Sequence, residues 1–551
     1  MASAMFDYIV VGGGTAGVVI ASRLRKYLPD ARIALLETGP NAVHHPTVNN
    51  VSGPPAWIEL MQEGLIVDYS TVPQPHLANR SIMNCAGRLL SGSSAVNVGH
   101  WMRPSRVDCD LLASRAGSDR MRFENMVKYF KMIETHHDAA ADGEVYGFEG
   151  PIGTVGGRKY PLREILQKSV ENLGYTYNPG AAKSGDNRGL IDFAQNFRAT
   201  SETTATRQHS AKVYDLSGIE VICDATTAKI LFDDEKRATG VELVDGTMLH
   251  ASREVIVSCG TQRTPQLLML SGIGPAAELE KHDIPLLIDA PTVGQNLMDH
   301  NAMIQYFQLK DGSKGYAHPF VGKSQLQYGH GLPIDFNLLG HISREELAPY
   351  LKNDGRDADA STLLDDERCH FMSIMFYDNL FAPPGVYADV IDEGTRIAVA
   401  AVHVMPLSRG TVTLKSKSPK DDPVCDPQFL STETDRFVMR KAVRENLRLV
   451  NAAPLKDEIV GEVSPRGFSA LTADSSDAEI DERNAKVATT IFHPMGTCAL
   501  GTVLDGDFKV KGTKGLRVCD ASVFAEPVAG MPSYMIYALA ELCSEVIAES
   551  W

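Results

Sequence analysis

Two rhythms of apolar residues open the chain. Residues 6–11, Phe-Asp-Tyr-Ile-Val-Val, are β-branched and apolar, as a strand buried on both faces requires. Past a glycine-rich turn, Val18, Val19, Ala21, Leu24 and Leu28 recur at helical spacing until Pro29-Asp30 stops them. Residues 33–36 then predict a second strand. Pro40, Pro46, Pro54 and Pro55 predict irregular chain rather than regular helix after it. A helical pattern returns over 123–133. Short strands at 221–222, 229–232 and 240–244, joined by Asp-rich turns, read as an antiparallel meander. Residues 254–258 form another buried strand, which runs through Gly260 into a helix at 266–270. Farther on, 397–404 and 411–414 read as strands and 432–449 as a helix. The closing helix, 534–547, carries an apolar face of Ile536, Leu539, Ala540, Cys543 and Ile547. Strands and helices interleaved in this way predict an α/β chain, α+β overall.

The turn between the first strand and helix is Gly12-Gly13-Gly14-Thr15-Ala16-Gly17. Gly12 permits the tight turn, Gly14 lets backbone approach a pyrophosphate, and Gly17 lets helix and strand pack closely. The helix start points free N–H groups and the positive dipole end at such a phosphate. Glu37, at the end of the second strand, stands where an acidic side chain binds adenosine ribose hydroxyls. An acid there disfavours a 2′-phosphate, so FAD or NAD is expected rather than NADP. Gly-Ser-rich residues 87–97 form a second cluster of small residues, suited either to lying against a flat ligand or to a flexible loop.

Composition changes little in this picture. A chain of 551 residues with 44% hydrophobic and 22% charged content is globular and large enough for two or three domains. Its net charge of −16 argues against nucleic acid or an anionic membrane as main partner. Nine scattered cysteines show no metal-ligand spacing, and no metal is expected. No apolar run approaches the roughly 20 residues that span a bilayer. With no room for a signal peptide before the first strand, a cytoplasmic protein is expected.

Four motifs in fixed order resemble those of the glucose–methanol–choline family of FAD-dependent oxidoreductases. They are Gly87 to Asn97, with Ser91 where glycine is usual; the segment from Gly260 through Thr264-Pro265 to Ser271-Gly272-Ile273-Gly274; Val293 to His300; and His493-Pro494-Met495-Gly496-Thr497-Cys498 with Asp520-Ala521-Ser522. The resemblance spans essentially the whole chain. It implies a Rossmann-like FAD-binding domain assembled from residues 1–155, 208–300 and 480–551. Interleaved with it is a sheet-plus-helix substrate-binding domain, 156–207 and 301–479. It places Thr15, Ala16 and Glu37 at the adenosine and pyrophosphate, Gly92, Ser93 and Asn97 along the cofactor near the flavin, and Thr227 at the adenine. Asp520-Ala521 would bring a helix start to the pyrophosphate. Where some members carry a flavin-linking histidine this chain has Val96, so non-covalent FAD is expected.

The implied reaction is oxidation of a small alcohol by hydride transfer to flavin N5, with O₂ or an organic acceptor taking the electrons. The protein would be a monomer or homodimer. A base near neutral pKa serves the hydroxyl proton best, and His493, inside the matched motif, is the candidate. The position that usually carries a second histidine or an asparagine is Met531, whose thioether accepts weakly and donates nothing. Three explanations follow. Another polar group, such as His403 or Tyr534, replaces it; or the substrate is apolar or aromatic and held by packing; or the chemistry is non-redox, as in hydroxynitrile lyases or biosynthetic cyclases and dehydratases. His403 reads equally well as a solvent-facing strand residue.

Overall fold

The computed structural model describes residues 4–50, 54–318, 329–378, 386–387 and 394–551. The first apolar run is strand Ala4–Val11, and the first helical pattern is helix Thr15–Tyr27. Around the strand a seven-stranded sheet forms in the order Glu220–Ile222, Ile33–Leu36, Ala4–Val11, Met248–Val257, Ala238–Leu243, Thr227–Phe232. Leu516–Val518 also pairs with Met248–Val257. The centre is parallel and the last strands turn back antiparallel. Of the expected meander, 229–232 and 240–244 pair antiparallel as read, but 221–222 does not join them: Glu220–Ile222 pairs parallel with Ile33–Leu36 at the opposite edge of the sheet. The meander is completed instead by the strand that holds the expected buried run at 254–258. Met248–Val257 pairs antiparallel with residues 240–242 through its first half and parallel with Ala4–Val11 throughout.

The second seven-stranded sheet is antiparallel: Ile459–Val463, Asn301–Leu309, Arg396–His403, Phe371–Phe376, Phe336–Gly340, Gly189–Asp192, with Thr489–Thr490 added beside Asn301–Leu309. Helix Glu433–Val450 packs against its central strands, begun by the Thr432 hydroxyl, which accepts from Asp435 N. Each sheet has its own core. Met298 and Met495 belong to the first, Ala302, Ala529 and Met531 to the second. Asp299 and His300 therefore sit where the two meet.

Three local expectations need correction. Pro46 and Pro54 do not exclude helix but open two short ones, Pro46–Asn49 and Pro54–Gln62. At the first helical position the missing N–H has no intrahelical partner to lose. The helix placed at 266–270 begins at Gly260 and carries Pro265 inside it. Finally, the last helix, Pro532–Glu549, is buried on nearly every side rather than on one face. It lies against helix Thr15–Tyr27, while Ile536, placed on the apolar face, is only partly buried. Its buried Glu541 is matched by Arg23 Nε at 2.6 Å and the Tyr214 hydroxyl at 3.0 Å, which satisfies the charge inside the protein.

Candidate active site

The glycine turn shows which of its residues the protein itself needs. A side chain at Gly17 would drive into the carbonyl oxygen of Gly12, so Gly17 serves the contact between helix and strand. One at Gly14 would make only ordinary contact, 3.9 Å from Gly92 Cα and from the Ser258 carbonyl oxygen. The protein's own packing thus does not require glycine at Gly14, which stands beside the start of helix Thr15–Tyr27, where unpaired N–H groups gather. Glu37 accepts from Gly13 N at 3.0 Å and Gly39 N at 2.8 Å, and burial raises its pKa to about 7. A glycine cradle at a helix start with a buried carboxylate nearby fits the adenosine pyrophosphate half of a dinucleotide.

The Gly-Ser segment closes this cradle from the other side. Gly92 lies directly against Gly14. Ser91 adopts φ 97°, the left-handed conformation that favours glycine, which explains the usual residue there. Its hydroxyl compensates: it meets His209 Nδ1 at 2.7 Å and accepts from Ala211 N at 2.8 Å. Ser93 is exposed, and its hydroxyl accepts from Gly87 N at 3.2 Å. The Asn97 side-chain oxygen accepts from Gly99 N and Arg207 Nη1, each at 2.9 Å. Val96 packs with Leu65 and Leu89 in a small apolar cluster. Thr227 opens its strand with an enclosed hydroxyl that has no partner among the described residues. Asp520 and Ala521 begin a single 3₁₀ turn, Ala521–Val523, rather than a longer helix. The Asp520 carboxylate accepts from Ser522 N at 2.7 Å, Gly260 N at 2.9 Å and the Thr264 hydroxyl at 2.6 Å. It ties the second glycine turn to the C-terminal block.

His493 is carried by the segment after Thr489–Thr490, which runs beside residues 297–300. Met298 and Met495 exchange backbone hydrogen bonds of 2.9 and 2.8 Å. Asp299 anchors the turn: its Oδ1 accepts from His493 N at 3.0 Å, and its Oδ2 accepts from the Thr490 hydroxyl at 2.6 Å and Asn84 Nδ2 at 3.1 Å. Burial lifts its pKa to about 7. Phe492, just before His493, sits at φ 63°, strain of order 1–3 kcal/mol for such a residue. A hydrogen bond from its N–H to the Thr490 hydroxyl at 2.7 Å helps to hold it.

The His493 ring meets another histidine. His493 Nδ1 and His300 Nδ1 are 3.0 Å apart, with the rings edge to face. His300 is fully buried, which lowers its pKa to about 3. Burial, then the nearby His300 and His100, push His493 well below the usual imidazole value of 6.5. His493 keeps some accessible surface. With Nδ1 engaged, Nε2 is the nitrogen left to face a bound molecule. Neither Asp299 nor His300 drew attention in the sequence beyond the motif they share. The signal was a polar pair at the mouth of a buried strand.

Met531 precedes helix Pro532–Glu549, is 8% exposed, and makes no side-chain cap. Of the two replacements considered for it, Tyr534 is engaged elsewhere, whereas His403 Nε2 has no hydrogen-bond partner among the described residues. The Tyr534 hydroxyl lies among Glu134, Arg103 and the Phe130 carbonyl, and its ring packs on Trp101 at 4.5 Å. His403 is buried rather than solvent-facing, paired across the second sheet, with Nε2 3.7 Å from Asp435. The fold also gathers His45, Glu59 and Glu63, a trio that sequence spacing did not show. Two of the three are exposed, and His45 pairs with Glu63 at 3.0 Å. Among the described residues no helix is long and apolar enough to cross a membrane.

Comparison with known proteins fits this geometry. Family models described as GMC oxidoreductase match residues 6–302 and 406–540. The GMC-type oxidoreductase acuG of Aspergillus aculeatus is 38% identical over 546 residues, 99% of each chain. The choline oxidase of Arthrobacter globiformis is 30% identical, covering 98% of this chain and 94% of that one. A formate oxidase variant of Aspergillus oryzae, from a structure concerned with its FAD modification, superposes with a TM-score of 0.84 at 25% identity, over 99% and 98% of the two chains. With the glycine cradle, the buried Glu37 and the paired histidines in place, the chain belongs to the GMC oxidoreductase family and is an FAD-dependent oxidoreductase.

Proposed function

We propose that this enzyme oxidises a small alcohol, aromatic or apolar, with His493 as the base that takes the hydroxyl proton. The observation that carries the reading is the contact between His493 Nδ1 and His300 Nδ1. Two neutral imidazoles in this contact share one proton. The carbonyl groups of Val404 and Val528 favour a proton on the His300 ring, although His300 Nε2 forms no well-shaped hydrogen bond. With that proton on Nε2, His300 Nδ1 accepts from His493 Nδ1–H. His493 Nε2 then presents a lone pair, as a base must. Asp299 holds the backbone of the same residue, so ring and main chain are both positioned.

FAD would be held by the N–H groups of Gly12 to Gly17, by Glu37, by Gly92, Ser93 and Asn97, and by the Thr227 and Asp520-Ala521 ends of the cradle. The chemistry that bound FAD supplies is acceptance of the hydrogen and electron pair leaving the alcohol carbon. In this reading residues 1–155, 208–300 and 480–551 serve the cofactor, and 156–207 and 301–479 the substrate. O₂ or an organic acceptor completes the cycle. Val96 offers no nucleophile for a flavin bond, so acid-denatured protein is expected to leave all its FAD in the supernatant. Yellow colour pelleting with the protein would contradict this.

A second reading draws on Met531. Its apolar setting supports a non-redox reaction, lyase or cyclase, in which FAD is retained for structure. Anaerobic mixing with a panel of alcohols separates the two: bleaching of the flavin band supports oxidation, and turnover without bleaching supports the alternative. Met531→Asn is expected to speed flavin reduction by simple primary alcohols about tenfold, the value of one added hydrogen bond. An asparagine at this uncapped helix start offsets, by about 1 kcal/mol, part of the roughly 2 kcal/mol lost with the buried methionine. A folded, FAD-loaded variant with no gain in rate would show that positioning at residue 531 is not what limits the reaction.

A further inference from the structure

We propose that His100 is the second polar group of the substrate site, supplying from its Nδ1–H the contact to the substrate oxygen that Met531 cannot make. This rests on the reading of His493 as the base. Four observations on this side of the site lead to it.

His100 is 6% exposed and follows the Gly-Ser segment directly. Its Nε2 lies 3.0 Å from the side-chain nitrogen of Asn337, on strand Phe336–Gly340 of the second sheet. That amide nitrogen also points at Met102 Sδ, 4.0 Å away. A thioether accepts and cannot donate, so the NH₂ end of Asn337 is the end turned toward Met102 and His100, with Oδ1 left without a partner among the described residues. His100 Nε2 is then the acceptor. A neutral imidazole carries one proton, which leaves Nδ1 as the donor. No hydrogen bond among the described residues uses it.

The neighbours place the ring between Met531 and His493. Met102 lies against Gly530, adjacent to Met531, and Met102, Phe193 and Met531 share one apolar cluster. The His100 ring packs on Phe193 at 4.5 Å. His100 is also close enough to His493 for its charge to act there. Burial lowers the His100 pKa to about 3, so it offers a neutral N–H, which stays a donor across the working pH range. Apolar neighbours, Phe193 against the ring and Met102 between Asn337 and Gly530, with a single donor suit the oxygen of an otherwise apolar alcohol, and leave the position of Met531 free to pack.

The test uses FAD-loaded enzyme and three variants. His100→Asn keeps an N–H₂ near the position of Nδ1. His100→Gln reaches Asn337 but leaves that position empty, and His100→Leu does neither. Binding of benzaldehyde, which is little hydrated and so is mainly a product-like ligand, is read anaerobically from the oxidised flavin spectrum before any bleaching. Flavin reduction by benzyl alcohol is measured separately. The Leu and Gln variants should weaken benzaldehyde binding about tenfold, as loss of one hydrogen bond predicts, and Asn should stay within a few-fold of wild type. Adding Met531→His to His100→Leu should recover binding, because the donor returns from the other side. Unchanged binding in His100→Leu, equal losses in Asn and Leu, or no benzaldehyde binding by wild type would overturn the proposal. Should His100→Leu lose its FAD, the Asn and Gln pair decides alone. Wild-type enzyme that binds benzaldehyde with this pattern but is bleached by no alcohol would strike the base reading and leave His100 in place.

Discussion

Replacing His493 with alanine is expected to slow flavin reduction about 10²-fold or more, with FAD content and fold retained. The side chain has one engaged nitrogen and one free, and its backbone is held by Asp299 whatever the side chain is. Loss should therefore fall on the chemical step rather than on cofactor binding. His300 provides the finer test. His300→Leu removes the acceptor facing His493 Nδ1 and frees the ring to place its proton on Nε2, where it cannot act as a base. A rate loss of about 10²-fold or more is expected, as when a tautomer-holding partner is removed elsewhere. His300→Asn keeps an oxygen near the lost nitrogen and should recover much of it. The pH profile follows from the direction of the shift at His493. Its pKa lies below 6.5, so the neutral, active form predominates through neutral pH. Activity should fall only as pH drops below 6.5. An acid limb centred at or above 6.5, or a His493→Ala variant reduced at the wild-type rate, would remove His493 from the role of base.

Stability should drop steeply between pH 6.5 and about 4.5. His100, His209, His300 and His370 are each held near a pKa of about 3 by burial, and His493 is also well below 6.5. The folded state therefore leaves them neutral at pH 5.5, while the unfolded chain protonates all five. Burial acts in the opposite sense on Glu37 and Asp299, raised to about 7, and on Asp335, raised to about 6. These carboxyls take up protons in the folded state first and offset part of the loss. His137, lowered to about 4 by burial, adds a sixth histidine on the same side as the other five, so the unfolded chain binds about three more protons, a loss of roughly 4 kcal/mol per pH unit. Urea midpoints measured from pH 7 to 5 should show it. His370 is remote in role: its ring accepts from Ile342 N at 2.9 Å and meets the Leu363 carbonyl at 2.8 Å. In His370→Gln the slope should fall by about one proton's worth. A flat midpoint across this range would mean that these rings are not neutral in the folded protein.

Much of the first sheet could be read from the chain because its signals are local. The strand–glycine–helix–strand text around Gly12 to Glu37 carries its own geometry, and helix Phe123–Ile133 falls where its apolar period placed it. The failures share a cause. Pro46 and Pro54 look like breakers in the sequence, yet the first turn of a helix tolerates what its interior does not. The last helix looks amphipathic because the partners that let Glu541 be buried are residues 23 and 214, far away in sequence.

The site divides along the same line. Residue types and spacing alone determined a dinucleotide-binding turn, since glycines and an acid at a strand end act through neighbours a few residues away. FAD, the family and His493 as candidate base came with the resemblance carried by the four motifs. Tertiary structure alone decided what stands around that base. His300 and His493 are 193 positions apart, and His100 and Asn337 are 237 apart. The proton on an imidazole is settled by whichever group lies across from it, and only the folding of two sheets against each other brings those groups within 3 Å.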